Sequence, residues 1–125
     1  MGVDLPRDSA QDSFSMLPAI EGTDGGVQIR PYILQQGFSG GRFLAIRKGK
    51  WKYLAHKGSG GNNYAKHDQL KQYALPEVAP DAPGQLYDLE TDPGERTNLS
   101  LKYPEVVKEL SELLKKSKAD GRSAP

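Results

Sequence analysis

The residues able to do chemistry gather in one stretch. His56, Lys57, Asn62, Asn63, Tyr64, Lys66 and His67 stand close together, with Gly58, Gly60 and Gly61 among them. Glycine-rich backbone can turn successive N–H groups towards an anion, and the lysines and amides add donors. These seven side chains are therefore the candidate substrate contacts. The same stretch also reads as a surface loop with no ligand. His56 and His67 are residue types that bind metals, but two histidines need further ligands and read equally as polar loop residues. Trp51, Tyr53 and Tyr87 could stack on a sugar or base, or pack in a core.

Charge sharpens the focus on this region. The chain has 125 residues, 17 basic and 16 acidic, with net charge +1. That balance hides blocks. Residues 1–27 are net −4, residues 42–71 are net +7 and residues 72–101 are net −5. A +7 block could face an anionic substrate. It could also be the solvated faces of two strands.

Several chemistries are excluded. There is no cysteine, so no disulfide, thiolate metal site or cysteine nucleophile exists. No Gly-x-Ser-x-Gly elbow, His-Glu-x-x-His helix or phosphate-binding Gly-x-x-x-x-Gly-Lys-Ser/Thr loop is present. No apolar run is long enough to span a bilayer. The first residues, Met1 to Ser13, are polar and acidic, unlike a signal peptide. Nucleic-acid binding is not expected, because no known module signature accompanies the basic residues.

The elements that must position the candidates can be read from periodicity. Apolar residues make up 36%, below the globular norm of about 45–50%. With 14 Gly and 9 Pro, the chain reads as one loop-rich domain. Residues 1–27 read as a linker. A short helix through Phe14 to Leu17 is expected there, capped by Asp12 or Ser13. Strands are expected at Ile29 to Gln36, Phe43 to Arg47, Trp51 to Ala55 and Gln85 to Leu89. Lys48-Gly49 marks a tight turn. Trp51, Tyr53 and Ala55 share one face of their strand, which is expected to be the buried one. Residues 56–84 form a long loop with no strong period, and loops of that length are often functional. Pro104 opens a helix whose apolar stripe is Val106, Val107, Leu110, Leu113 and Leu114, with Gly121 as terminator. Truncating Leu110 or Leu113 to Ala is expected to cost about 2–5 kcal/mol where the side chain is buried.

Five segments, in the same order along the chain, then resemble a known family. The run Phe43 to Leu54 is similar to the strand pair A-I-R-x-G-x-W-K found near the end of arylsulfatase-type sulfatases. Leu86 to Leu99 resembles that family's L-Y-x-L-x-x-D-P-x-E-x-x-N-L. Tyr103-Pro104-Glu105-Val106-Val107 and the stretch from Gly121 to Pro125 also fit, as does the segment from Leu5-Pro6 through Asp12-Ser13 to Leu17-Pro18. The resemblance implies an α+β fold, a small antiparallel sheet of about four strands with a long C-terminal helix packed on it. Residues 28–125 would form that subdomain, with the long loop at 56–84.

The family's catalytic formylglycine arises in a Cys/Ser-x-Pro-x-Arg motif, which this sequence lacks. Its paired aspartates for calcium and its active-site Lys and His motifs also have no match here. By resemblance the chain is the C-terminal subdomain of a sulfuric ester hydrolase acting on a sulfated carbohydrate or an aryl sulfate. It is expected to be part of a longer protein and inactive alone. Its implied partner is the catalytic domain, on which it packs and whose substrate cleft it helps to shape. Calcium and formylglycine belong to that parent, which the resemblance makes periplasmic or secreted. Gln35-Gln36 and Ser39-Gly40-Gly41 occupy a hairpin where relatives often carry histidine or other polar residues, and no substrate contact is assigned there. The basic block supports a second reading, a stand-alone module for anions or sulfated glycans. A sheet face or edge left uncovered in the isolated chain is expected to promote self-association.

Overall fold

The computed structural model describes residues 6, 9, 12–37, 43–58, 64–75, 79 and 81–121. Four strands form one sheet: β1 (Ile33–Gln36), β2 (Leu44–Lys48), β3 (Trp51–Leu54) and β4 (Gln85–Asp88). They lie in the order β1-β2-β3-β4, each antiparallel to its neighbour. The α+β meander expected from the sequence is therefore present. A four-residue helix, α1 (Leu17–Ile20), precedes the sheet, and α2 (Pro104–Asp120) follows it.

One row of side chains explains how sheet and helix join. Leu34 pairs with Ile46, Ile46 with Tyr53, and Tyr53 with Leu86, so all four point to the same face. Leu110 and Leu114 of α2 close over that row, and Ile46, Tyr53, Leu86, Leu110 and Leu114 form the buried cluster. Burying each such side chain stabilises the fold by about 1.5–3 kcal/mol. The rim is polar and specific. Lys48 Nζ lies 2.6 Å from Glu109 Oε1, and the Tyr32 and Ser117 hydroxyls lie 2.9 Å apart. Trp51 is half-buried against Tyr103, ring centroids 5.2 Å apart. Of the expected stripe, Leu110 and Leu114 are buried, whereas Leu113 is only partly so. Ser117 takes the next inward position, returning its hydroxyl to the Leu113 carbonyl at 3.0 Å.

Some boundaries differ from the sequence expectation for local reasons. β1 starts at Ile33 because Pro31 has no N–H for a ladder and restricts Arg30 before it. α1 begins at Leu17 instead of Phe14, with Met16 as N-cap, because Pro18 belongs in the first turn of a helix and cannot sit past it. Ala55 lies just past β3 and is exposed. The long loop holds two short 3₁₀ turns, Tyr64–Lys66 and Lys71–Tyr73. Gly49 (φ +57°) makes the β2–β3 turn, and Gly121 (φ +68°) ends α2 in the left-handed conformation.

Candidate functional site

The sheet face away from α2 carries the candidate chemistry. Residues on this face alternate with the core row: Gln35, Ala45, Lys52, Leu54, Gln85 and Tyr87. Its β4 side is sealed. Tyr87 is fully buried and donates its hydroxyl to Gln85 Oε1 at 2.7 Å. Tyr53 is buried in the core on the other side. Of the two readings open for Tyr53 and Tyr87, core packing holds: both rings are enclosed.

The loop base is held by two buried amides. The Gln85 Nε2 group reaches the carbonyls of His56 at 3.2 Å and Lys57 at 3.1 Å. His56 Nδ1 lies 2.9 Å from the Lys57 carbonyl and 3.2 Å from Gln85 Nε2. The two contacts need opposite protonation of Nδ1. A proton on Nδ1 satisfies the carbonyl and leaves both amide hydrogens for the two backbone oxygens, so Nε2 of the neutral ring is an acceptor. The second amide is Asn98. Its Oδ1 accepts from the N–H groups of Leu86 and Ser100, both at 3.0 Å. Its Nδ2 donates to Gly84 O at 3.2 Å and Gly58 O at 3.4 Å. One side chain thereby ties both ends of the long loop to β4.

Two concavities result. The first is about 300 Å³, lined by Gln35, Gln36, Phe43, Lys52 and His56 among others. The Phe43 and His56 rings meet edge to face at 4.7 Å. The second is about 800 Å³ and lies between the 64–75 segment and the 93–96 turn, with Tyr64, Tyr73, Glu95 and Arg96 on its wall. Lys52 lines the first, Glu95 lines the second, and the two side chains pair at 2.6 Å. That pair is only 19% and 25% exposed, so it is less screened than a surface bridge.

The expected site residues are therefore distributed, not clustered. His56 belongs to the first concavity and Tyr64 to the second. Lys57, Lys66 and His67 are exposed beside them. Asn62 and Asn63 lie outside the described residues, as do Ser39, Gly40, Gly41 and Arg42. Sequence reasoning missed Arg96 and Tyr73. Arg96 is the lone base in residues 72–101, which was the available signal.

Much of the basic block is exposed, with Arg47, Lys48, Lys57, Lys66 and Lys71 all at the surface, but four of its lysines are paired. Lys48, Lys50, Lys52 and Lys71 pair with Glu109, Asp88, Glu95 and Asp68, at 2.6, 2.8, 2.6 and 2.5 Å. Three of those acids come from residues 88–109, so long-range folding neutralises much of the apparent excess. The Lys50 hydrogen bond holds the Asp88 carboxyl below its ordinary range against the opposing effect of burial, and Asp88 in turn raises Lys50. Burial alone raises the Tyr53 phenol.

No group of three or more His, Cys, Asp or Glu that could hold a metal exists among the described residues. The donor set does not fit calcium, which takes six to eight oxygens. No helix among the described residues is long and apolar enough to cross a membrane.

A family model for the C-terminal region of aryl-sulfatase matches residues 34–125. The chain belongs to that family. The region matched runs from within β1 through the other three strands and the long loop to α2. The chain is 40% identical over 114 residues to N-acetylgalactosamine-6-O-sulfatase of Bacteroides thetaiotaomicron, a match covering 91% of this chain and 20% of the relative. A solved structure described under the metabolism of multiple glycosaminoglycans by the same organism is 39% identical, with a TM-score of 0.65. That match covers 93% of this chain and 22% of the other. This sulfatase C-terminal region thus spans about a fifth of the length of either relative.

Proposed function

We infer that this sulfatase C-terminal region serves a sulfuric ester hydrolase acting on a sulfated carbohydrate of the glycosaminoglycan type. The carrying observation is the 40% identity over 91% of the chain to an N-acetylgalactosamine-6-O-sulfatase. In this reading a catalytic domain packs against the region. That domain supplies the formylglycine and calcium implied by the family. The face away from α2 borders the substrate cleft, with His56, Lys57, Asn62, Asn63, Tyr64, Lys66 and His67 available from the loop at its margin. The role of the present residues is to bind and orient. His56 Nε2 offers an acceptor to a sugar hydroxyl, and Lys57 and Lys66 offer charge to a sulfate.

A chimera tests the reading. The 125-residue chain replaces the corresponding region of the Bacteroides thetaiotaomicron N-acetylgalactosamine-6-O-sulfatase. Release of sulfate from N-acetylgalactosamine 6-sulfate is then measured beside the isolated chain. The chimera is expected to turn over and the isolated chain to be inert. A folded chimera without activity, or turnover by the isolated chain, overturns the proposal.

A further inference from the structure

We propose that the groove between the 64–75 segment and the 93–96 turn is a binding subsite for a sulfate-bearing sugar, with Arg96 as its anion contact and Tyr64 and Tyr73 as its stacking walls. The inference rests on the glycan reading above and adds a site and residues to it.

Three observations carry it. The first is shape. At about 800 Å³ the groove has the size of small-molecule clefts, roughly 300–1,000 Å³, and it is larger than the concavity beside His56. The second is composition. Tyr73 is 60% exposed and Tyr64 39%, and both line the same groove. Tyrosine presents a flat apolar ring with a polar tip, which matches the mixed faces of a sugar. Arg96 lines the facing wall, and guanidinium recognises planar oxyanion pairs better than ammonium does.

The third observation is preorganisation. Asp92 Oδ2 accepts from the backbone N–H of Arg96 at 2.7 Å and of Thr97 at 2.8 Å. Glu95 between them adopts φ +52°, which non-glycine residues rarely do. Its carboxylate is neutralised by Lys52, so it does not repel an anion arriving beside it. The Arg96 side chain folds over Gly94: a Cβ built at Gly94 would sit 3.2 Å from Arg96 Nε. Strain of this kind persists where surrounding contacts over-determine it, often at ligand clamps. These constraints fix the backbone that carries Arg96 at the groove wall.

Calorimetric titration of the 125-residue chain decides the matter. The probe is a hexasaccharide containing 6-O-sulfated N-acetylgalactosamine. Hyaluronan hexasaccharide, which carries carboxylates and no sulfate, is the comparison. The sulfated probe is expected to bind at low salt and weaken as salt rises. Arg96→Gln and Tyr73→Ala should each weaken binding about tenfold or more, with Arg96→Lys recovering only part. Lys115→Gln on the exposed side of α2 should leave binding unchanged. Both Arg96 and Tyr73 are exposed, so unfolding midpoints of their variants should match the parent chain. No binding at low salt overturns the proposal. So does equal loss in Lys115→Gln and Arg96→Gln, or equal affinity for hyaluronan. An active chimera with no Arg96 effect removes this subsite and keeps the function. A binding groove with an inactive chimera does the reverse.

Discussion

The two edges of the sheet are finished in opposite ways. Every residue of β4 is buried. Its outer edge is capped within the chain: Leu86 donates its N–H to Asn98 Oδ1, and the Leu99 N–H bonds the Leu86 carbonyl at 2.8 Å. On β1 only Leu34 is even partly buried, and no described element pairs with its outer side. Ile33 at that edge is 38% exposed. An open edge of unpaired backbone invites another strand, so proteins that work alone usually cover or charge it. The β4 side is completed within the chain, and among the described residues the β1 side is not. That asymmetry suits a part of a larger sulfatase better than a free-standing module.

The largest effect should come from the closed edge. Asn98→Ala removes four hydrogen bonds and strands the buried N–H of Leu86 and Ser100. At about 1–3 kcal/mol for a buried unsatisfied group, a loss of about 2–4 kcal/mol is expected, read from urea unfolding midpoints. A loss below about 0.5 kcal/mol, the range of ordinary surface changes, would mean that β4 is not held by this cap.

Gly84→Ala follows in size. The new Cβ would stand 2.7 Å from Tyr53 Cε2, closer than real Cβ contacts come, and 3.0 Å from the Leu54 carbonyl, at the tight end of their range. Overpacking of this kind costs about 1–3 kcal/mol. The same unfolding measurement reads it, and pairing it with Tyr53→Phe tests the share of the hydroxyl, whose oxygen lies 2.9 Å from the same point. Relief in the double variant assigns part of the clash to that oxygen; no relief leaves it with the ring carbon at 2.7 Å, which phenylalanine keeps, and with the backbone.

These two effects mark the boundary of what the sequence discloses. Alternation at Trp51 and Tyr53 and the Pro104–Gly121 frame make the sheet and α2 legible, because both signals are local. The capping role of Asn98 is not local. It joins Gly58, Gly84 and Leu86, up to 40 positions away. The burial of β4 on both faces has the same cause: an alternating strand gives no sign that a distant segment will cover its second side. Lys48, Lys50 and Lys52 read as exposed charge because their acids, Glu109, Asp88 and Glu95, arrive from elsewhere in the chain. The candidate site is less legible still. His56 and Tyr64 were visible as residue types, but their separation into two concavities follows from the path of the loop. Arg96 entered only through the shape of the 93–96 turn.

A smaller effect at the closed edge depends on pH. Asp88 sits at the end of β4, with Lys50 at 2.8 Å and the Glu90 N–H at 3.1 Å. Its folded carboxyl titrates below the unfolded one. The contribution is therefore present above the unfolded value of about 3.9 and is lost as pH falls through the lower folded value. Lys50 is raised, so its share is present at neutral pH and fades only as pH climbs through its folded value. Asp88→Asn should lower the unfolding midpoint at pH 7 and converge with the parent chain in acid. Parallel curves down to pH 2 would assign the difference to packing at β4 instead of charge.

The smallest effect on stability is expected at the open edge, and it carries the most information about the partner. Ile33→Lys should shift unfolding by no more than about 0.5 kcal/mol, because the side chain is already partly in water and its strand is outermost. A charged edge should also reduce self-association, measured by sedimentation at rising concentration. In the chimera the same substitution should be far more damaging, because a neighbour would bury the lysine without a partner. Equal tolerance in both contexts would mean that β1 faces solvent even in the complete sulfatase. The comparison of the edges would then reduce to one strand being short and the other well capped. A gap between the two contexts would identify β1 as the side on which the catalytic domain packs.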